Sequence, residues 1–179
     1  MAEYLSPNFT LEELCYSDTA KARKIDNTPT PLHKKILKHT CQYMLEKLRA
    51  LLNEKYKEYK GKKVKYVALK VTSGYRCEKL NTAVGGSNTS QHCKGEATDL
   101  EAQIVYTNGV RVILPYNELY EDIKTWVKAK KMSVDQCIQE RSGNIVWVHC
   151  SHSNRGASCD RKQFLKYRNG MYSIDCTLK

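Results

Sequence analysis

Three of the five histidines fall in the second half of the 179-residue chain, and two of these, His92 and His149, sit where a metal could use them. His92 lies in the run Ser90-Gln91-His92-Cys93-Lys94-Gly95-Glu96-Ala97-Thr98-Asp99-Leu100. A loop carrying a histidine therefore passes through a glycine into a stretch of strand character that carries an aspartate. Strand alternation puts Ala97 and Asp99 on one face and Thr98 and Leu100 on the other. The small Ala97 leaves room for an imidazole folding back from the loop, and Gly95 permits the tight backbone path this needs. His149 lies in Ile145-Val146-Trp147-Val148-His149-Cys150-Ser151, where alternation places Trp147, His149 and Ser151 on a common face. Two neutral imidazoles and a carboxylate suit Zn²⁺. Its catalytic sites keep three protein ligands and leave a position for a water molecule that the metal acidifies. Spacing alone leaves a second reading open, in which His149 is a hydrogen-bonded core histidine.

Ser90, His92, Gly95, Ala97 and Asp99 together fill an SxHxxGxAxD pattern. This resembles the signature of the zinc peptidases grouped with D-Ala-D-Ala carboxypeptidases, phage endolysins and the Hedgehog signalling domain. Ser73-Gly74-Tyr75-Arg76 is similar to the SGYR segment that precedes the signature in many members. Leu80-Asn81-Thr82-Ala83-Val84-Gly85-Gly86 resembles the LNxAxGG that links the two, and Trp147-Val148-His149 resembles the strand that supplies the last ligand. The resemblance covers residues 64–152, in the family's order.

It implies that His92, Asp99 and His149 hold Zn²⁺. It implies that Arg76 either contacts a substrate carboxylate or braces the site, since a guanidinium pairs a carboxylate bidentately. Ser90 would hydrogen-bond substrate or stabilise a turn. One position departs from the pattern: several members carry an acidic general base three residues before the last histidine, where this chain has Val146. Glu140 is the expected substitute, brought near Ile145 by a hairpin across residues 141–144, with Glu96 as the alternative. His152 has the opposite strand parity to His149 and is expected to face away.

The elements that must position these residues read as follows. Residues 1–30 form a lead-in with a short helix near residues 11–15, capped by Asn8 or Thr10. They pack on a main domain spanning 31–179. Residues 32–59 carry apolar side chains at three- and four-residue spacing and predict a core helix, started by Thr30-Pro31 and stopped by Gly61. A strand follows over 64–71, then a short helix near 77–84. Hairpins are expected at 97–105 with 110–114 around Thr107-Asn108-Gly109, at 135–140 with 145–151, and at 163–167 with 171–174. Asn117 is the expected cap of a helix containing Leu119, Ile123, Trp126 and Val127. Helices early and hairpins late predict an α+β fold, an antiparallel sheet carrying the zinc site with helices packed on one face.

Composition bounds the rest. The chain is 41% hydrophobic and 27% charged, with 30 Lys+Arg against 19 Asp+Glu for a net charge of +11. Such an excess attracts polyanions, whether nucleic acid, anionic membrane or cell wall. No helix-turn-helix, zinc-finger or RNP pattern appears, so specific nucleic-acid binding is not expected. No apolar run approaches membrane-spanning length, so neither is membrane insertion. The first residues lack a basic and apolar leader, which predicts synthesis in the cytoplasm and action at the wall after release by a separate lysis protein. On that reading the eight cysteines are reduced structural thiols. The function these expectations converge on is hydrolysis of an amide bond in peptidoglycan stem peptides or cross-links, by a carboxypeptidase or endopeptidase of the lysis type acting as a monomer. A non-catalytic zinc-containing wall-binding module of the same fold is the alternative.

Overall fold

The computed structural model describes residues 2–178. The chain opens with a small ribbon, β1 (Tyr4–Ser6) against β2 (Phe9–Thr10), then α1 (Leu11–Cys15) and α2 (Asp18–Ala22). The Thr10 and Ser17 hydroxyls cap these short helices by accepting from Glu13 N and Ala20 N. Leu5, Phe9 and Leu14 join the main core, so the lead-in is anchored by burial.

The long helical stretch begins as expected: Thr30 accepts from His33 N and Pro31 takes the first position of α3 (Pro31–Thr40). A π-helical turn, Cys41–Leu45, passes it into α4 (Glu46–Lys55). The helix ends four residues before the expected 59, because β3 (Glu58–Tyr59) folds back on the start of β4 (Lys62–Ser73). Lys60 and Gly61 turn this hairpin at φ 49° and 70°, so Gly61 serves a hairpin rather than a helix end.

After β4 come α5 (Glu78–Ala83), a 3₁₀ turn over Gln91–Lys94, β5 (Ala97–Tyr106), β6 (Arg111–Ile113) and α6 (Tyr116–Lys128). Pro115 precedes the first turn of α6 and Asn117 is already inside it, so the expected Asn117 cap is not made. The chain finishes with β7 (Gln136–Ser142), β8 (Ile145–Ser151), β9 (Gln163–Arg168) and β10 (Met171–Thr177).

Eight strands form one sheet in the order β10-β9-β7-β8-β5-β4-β3, with β6 continuing beside β5. All pairs are antiparallel except β7 with β9, which run parallel because the loop after β8 carries the chain back past β7. The fold is α+β, with the long helix and α6 on one face of the sheet, while α2 and α5 pack on each other in a small separate cluster around Ala20 and Leu80. Val67, Leu69 and Val71 of β4, Leu100 and Ala102 of β5, Cys137 of β7 and Val148 of β8 point to that face. There they meet Leu37, Leu48 and Leu52 from the long helix and Leu119 and Ile123 from α6 in one continuous core. A register shift between Val64 and Tyr66 lets Val64 bury as well. The opposite face is left to Asp99, His149 and Glu140. Among the described residues no helix is long and apolar enough to cross a membrane.

Candidate metal centre

Register brings the candidate ligands together. Asp99 of β5 lies directly opposite His149 of β8, and Ser73 at the end of β4 lies opposite Asp99 on its other side. His92 reaches them from the 3₁₀ turn. Gly95 closes that turn at φ 75° and sends the chain into β5. A side chain at Gly95 would press within 3.2 Å of the His33 carbonyl and Leu37, so the glycine is needed for both conformation and space. The Thr40 hydroxyl donates to the Gly95 carbonyl at 2.9 Å, tying the turn to the long helix.

His92 Nε2 stands 3.2 Å from His149 Nδ1 and 3.4 Å from Asp99 Oδ1, and His149 Nδ1 is 3.2 Å from the same carboxylate oxygen. The three donors lie within 4.8 Å of one another. His92 Nδ1 is 2.7 Å from the Gly74 carbonyl, which can only accept, so the ring carries its proton there and turns the Nε2 lone pair inward. Burial pushes the His92 imidazole below its ordinary value and favours the neutral ring a metal needs. Burial alone would raise the Asp99 carboxyl, but His92 and His149 beside it hold it far below the usual carboxylate range. Two inward imidazole nitrogens beside an ionised carboxylate form a donor set that fits Zn²⁺.

Around this cluster lies a cleft of about 830 Å³. Arg76 Nη2 is 3.6 Å from Asp99 Oδ2, and its side chain lines the cleft. Ser90 also lines the cleft, and its hydroxyl makes no capping bond to the turn it precedes. Glu140 sits at the cleft wall with Oε1 4.0 Å from His149 Nδ1. The strand runs two residues past it to Ser142, and Glu140 pairs with Trp147 rather than with Ile145. Burial pushes its carboxyl above the ordinary range. Glu96 is turned away: its carboxylate accepts from Asn154 N at 3.0 Å and lines a separate cavity. His152 is also on the far side, bonded through Nδ1 to Asp160 at 2.7 Å and stacked on His39.

The family model described as Peptidase M15 matches residues 7–120, well over half of the chain. The chain belongs to the peptidase M15 family. M15 peptidases are zinc-dependent, and the resemblance drawn from the SxHxxGxAxD motif agrees with this membership. The match includes His92 and Asp99 and ends before His149, whose place beside them comes from the pairing of β8 with β5. No curated protein matches the chain.

Reading the M15 chain by its motifs missed three parts of the cleft. Tyr16, Ser17, Asp18 and Thr19 of the lead-in form one wall, for which a polar surface segment gives no signal. Tyr167 and Tyr172 form the far wall. Alternation along the last hairpin could have placed them on one face, though not on the face of the metal centre. Ile138 and Gln136, two and four residues from Glu140 along β7, complete the floor.

Proposed function

We propose that this M15 chain is a zinc peptidase that hydrolyses an amide bond in the peptide of bacterial peptidoglycan, with His92, Asp99 and His149 as the metal ligands. The observation that carries the proposal is the convergence of these three donors at the floor of a large cleft with a carboxylate, Glu140, at its wall. Bound there, Zn²⁺ supplies Lewis acidity toward a carbonyl oxygen and toward water.

The chain's own residues do the rest. Glu140 takes a proton from the attacking water at its carboxylate and passes it to the leaving amine, which fits a carboxyl raised toward the working range by burial. Arg76 holds Asp99 in place through its guanidinium. Ser90 and Arg76 offer hydrogen bonds along the wall where a peptide backbone would lie. Gly74 fixes the His92 tautomer. A net charge of +11 would retain such an enzyme on an anionic wall, in keeping with a lysis-type endolysin working as a single chain.

The test is digestion of purified muropeptides read by mass spectrometry, with zinc-loaded wild type beside His149→Ala and Glu140→Gln. Defined fragments from wild type and none from either variant support the proposal. Activity surviving in Glu140→Gln moves the base elsewhere. One observation favours a second reading, a wall-binding module without turnover: Val146 stands where several relatives carry an acid. Zinc binding and wall binding with no fragments from wild type would establish it.

A further inference from the structure

Between β4 and α5, residues 74–77 form neither helix nor strand, so their backbone groups need partners outside regular structure. They find them on the lead-in and on the turn that carries His92. The Leu14 carbonyl accepts from Tyr75 N at 2.7 Å, and the His92 carbonyl accepts from Arg76 N at 3.3 Å. Two further bonds go to a single side chain, that of Asn27. Its Nδ2 donates to the Tyr75 carbonyl at 2.9 Å, and its Oδ1 accepts from Cys77 N at 2.8 Å. Nδ2 also donates to the Cys15 carbonyl, the last of α1, at 2.9 Å. Carbonyls only accept and a backbone N–H only donates, so these partners fix which way the amide faces.

Asn27 belongs to the polar, proline-punctuated run Asp26-Asn27-Thr28-Pro29, yet it is only 9% exposed. A buried amide needs partners. This one gives a donor and an acceptor to the peptide groups on either side of Arg76, and its second donor to the lead-in. Arg76 is lightly held at its other end. Its Nη2 lies 3.6 Å from Asp99, longer than a hydrogen bond, and its Nε is buried without a partner among the described residues. Where the guanidinium stands is therefore set chiefly by where the backbone of residue 76 lies.

We infer that Asn27 is a positioning residue for Arg76: through this one side chain the lead-in sets where the guanidinium stands between Asp99 and the cleft. Its consequence for turnover rests on the peptidase reading above. Removing the amide leaves the Tyr75 and Cys15 carbonyls and the Cys77 N–H without their partner in a buried place, and the segment must shift to satisfy them. Asn27 does not itself line the cleft, so its effect there runs through the residues it holds.

Two measurements test it on three variants. Asn27→Ala removes all three bonds, and Asn27→Asp keeps the acceptor for Cys77 N while losing the donors. Leu5→Ala loosens the lead-in at the core and makes none of these bonds. In NMR of isotope-labelled, metal-free protein, wild type and Leu5→Ala should show a slowly exchanging Arg76 Nε–H signal. Both Asn27 variants should broaden or lose it. Muropeptide digestion by the zinc-loaded enzymes then forms a double-mutant cycle with Arg76→Ala. Asn27→Ala should lower kcat/KM roughly 10- to 100-fold when Arg76 is present and less than about twofold when it is already alanine. Leu5→Ala should have the same effect in both backgrounds. An Nε–H signal absent from wild type or unchanged in both Asn27 variants, or an equal loss with and without Arg76, overturns the inference and leaves the peptidase reading standing. A wild type that cuts nothing overturns that reading, and the Nε–H signal alone then decides for or against the positioning role.

Discussion

The Gly74 carbonyl and His92 Nδ1 are 2.7 Å apart, while the α-carbon of the same glycine faces the Leu14 carbonyl so closely that an added Cβ would lie 2.2 Å from its oxygen. Gly74 is thus fixed from two sides: its carbonyl orients the His92 ring and its bare α-carbon admits the lead-in. Gly74→Ala should lower stability by about 1–3 kcal/mol through overpacking. It should also weaken zinc affinity about 10- to 100-fold, since the partner orienting His92 shifts. Urea denaturation and zinc competition with a chromophoric chelator measure the two effects. Wild-type values for both would show that the backbone there is not constrained.

Glu140 is expected to govern the acid limb of the reaction. Its carboxyl is raised by burial, and only the ionised form can accept a proton, so kcat/KM should fall on acidification at a pH above the ordinary glutamate value of about 4.3. In Glu140→Gln that limb should disappear along with roughly 10²- to 10⁴-fold of the rate, while zinc stoichiometry is kept. A pH–rate profile unchanged in the variant would remove Glu140 from the mechanism.

Asp135 and Arg161 should set part of the acid stability. Burial would raise the Asp135 carboxyl, but the Arg161 guanidinium and backbone N–H and the Gln91 amide donate to it and bring its value below the ordinary one. A depressed folded value means the contribution is fully present above the unfolded aspartate value, about 3.9, and is lost as pH falls through the folded one. Asp135→Asn should therefore be less stable than wild type at neutral pH, with the gap narrowing below about pH 4. Thermal melts across pH test this, and a gap that stays constant would count against it.

The thiols should separate by depth. Cys159 is exposed, whereas Cys41, Cys137 and Cys150 are buried, the last two with sulfurs 3.7 Å apart across β7 and β8. Burial pushes the Cys41 thiol up to about 12 and raises Cys137 as well, so neither offers a thiolate at neutral pH. Brief iodoacetamide treatment followed by peptide mapping should mark Cys159 first and leave these three unmodified until denaturant is added. Native labelling of Cys137 or Cys150 would show that the sheet opens locally.

Local signals were readable where one element carries its own instructions. Thr30-Pro31 starts the long helix and the three-and-four spacing of Leu37, Cys41, Met44, Leu45 and Leu48 faces the core. The Asn-Gly pairs at 108–109 and 169–170 turn their hairpins, with Gly109 and Gly170 at positive φ. The helix stops short of 59 because Glu58 and Tyr59 pair with β4 through a turn that helix periodicity does not register. The parallel pairing of β9 with β7 was not legible at all, since the loop between β8 and β9 carries no turn signature for it.

For the site, the amino-acid sequence by itself determined the candidate ligand types, the glycine that frees the loop before β5, and the alternation that puts Asp99 and His149 each on one strand face. Only the tertiary structure decided that those faces are the same face, with Asp99 and His149 meeting across 50 residues of chain, that Glu140 sits beside His149, and that Tyr172 lies on the cleft wall. The reason is register: a strand's period of two fixes which side chains point together, but the pairing between distant strands is chosen by burying Leu100, Cys137 and Val148 against the helices. A slip of one residue would have turned Asp99, His149 and Glu140 into that core.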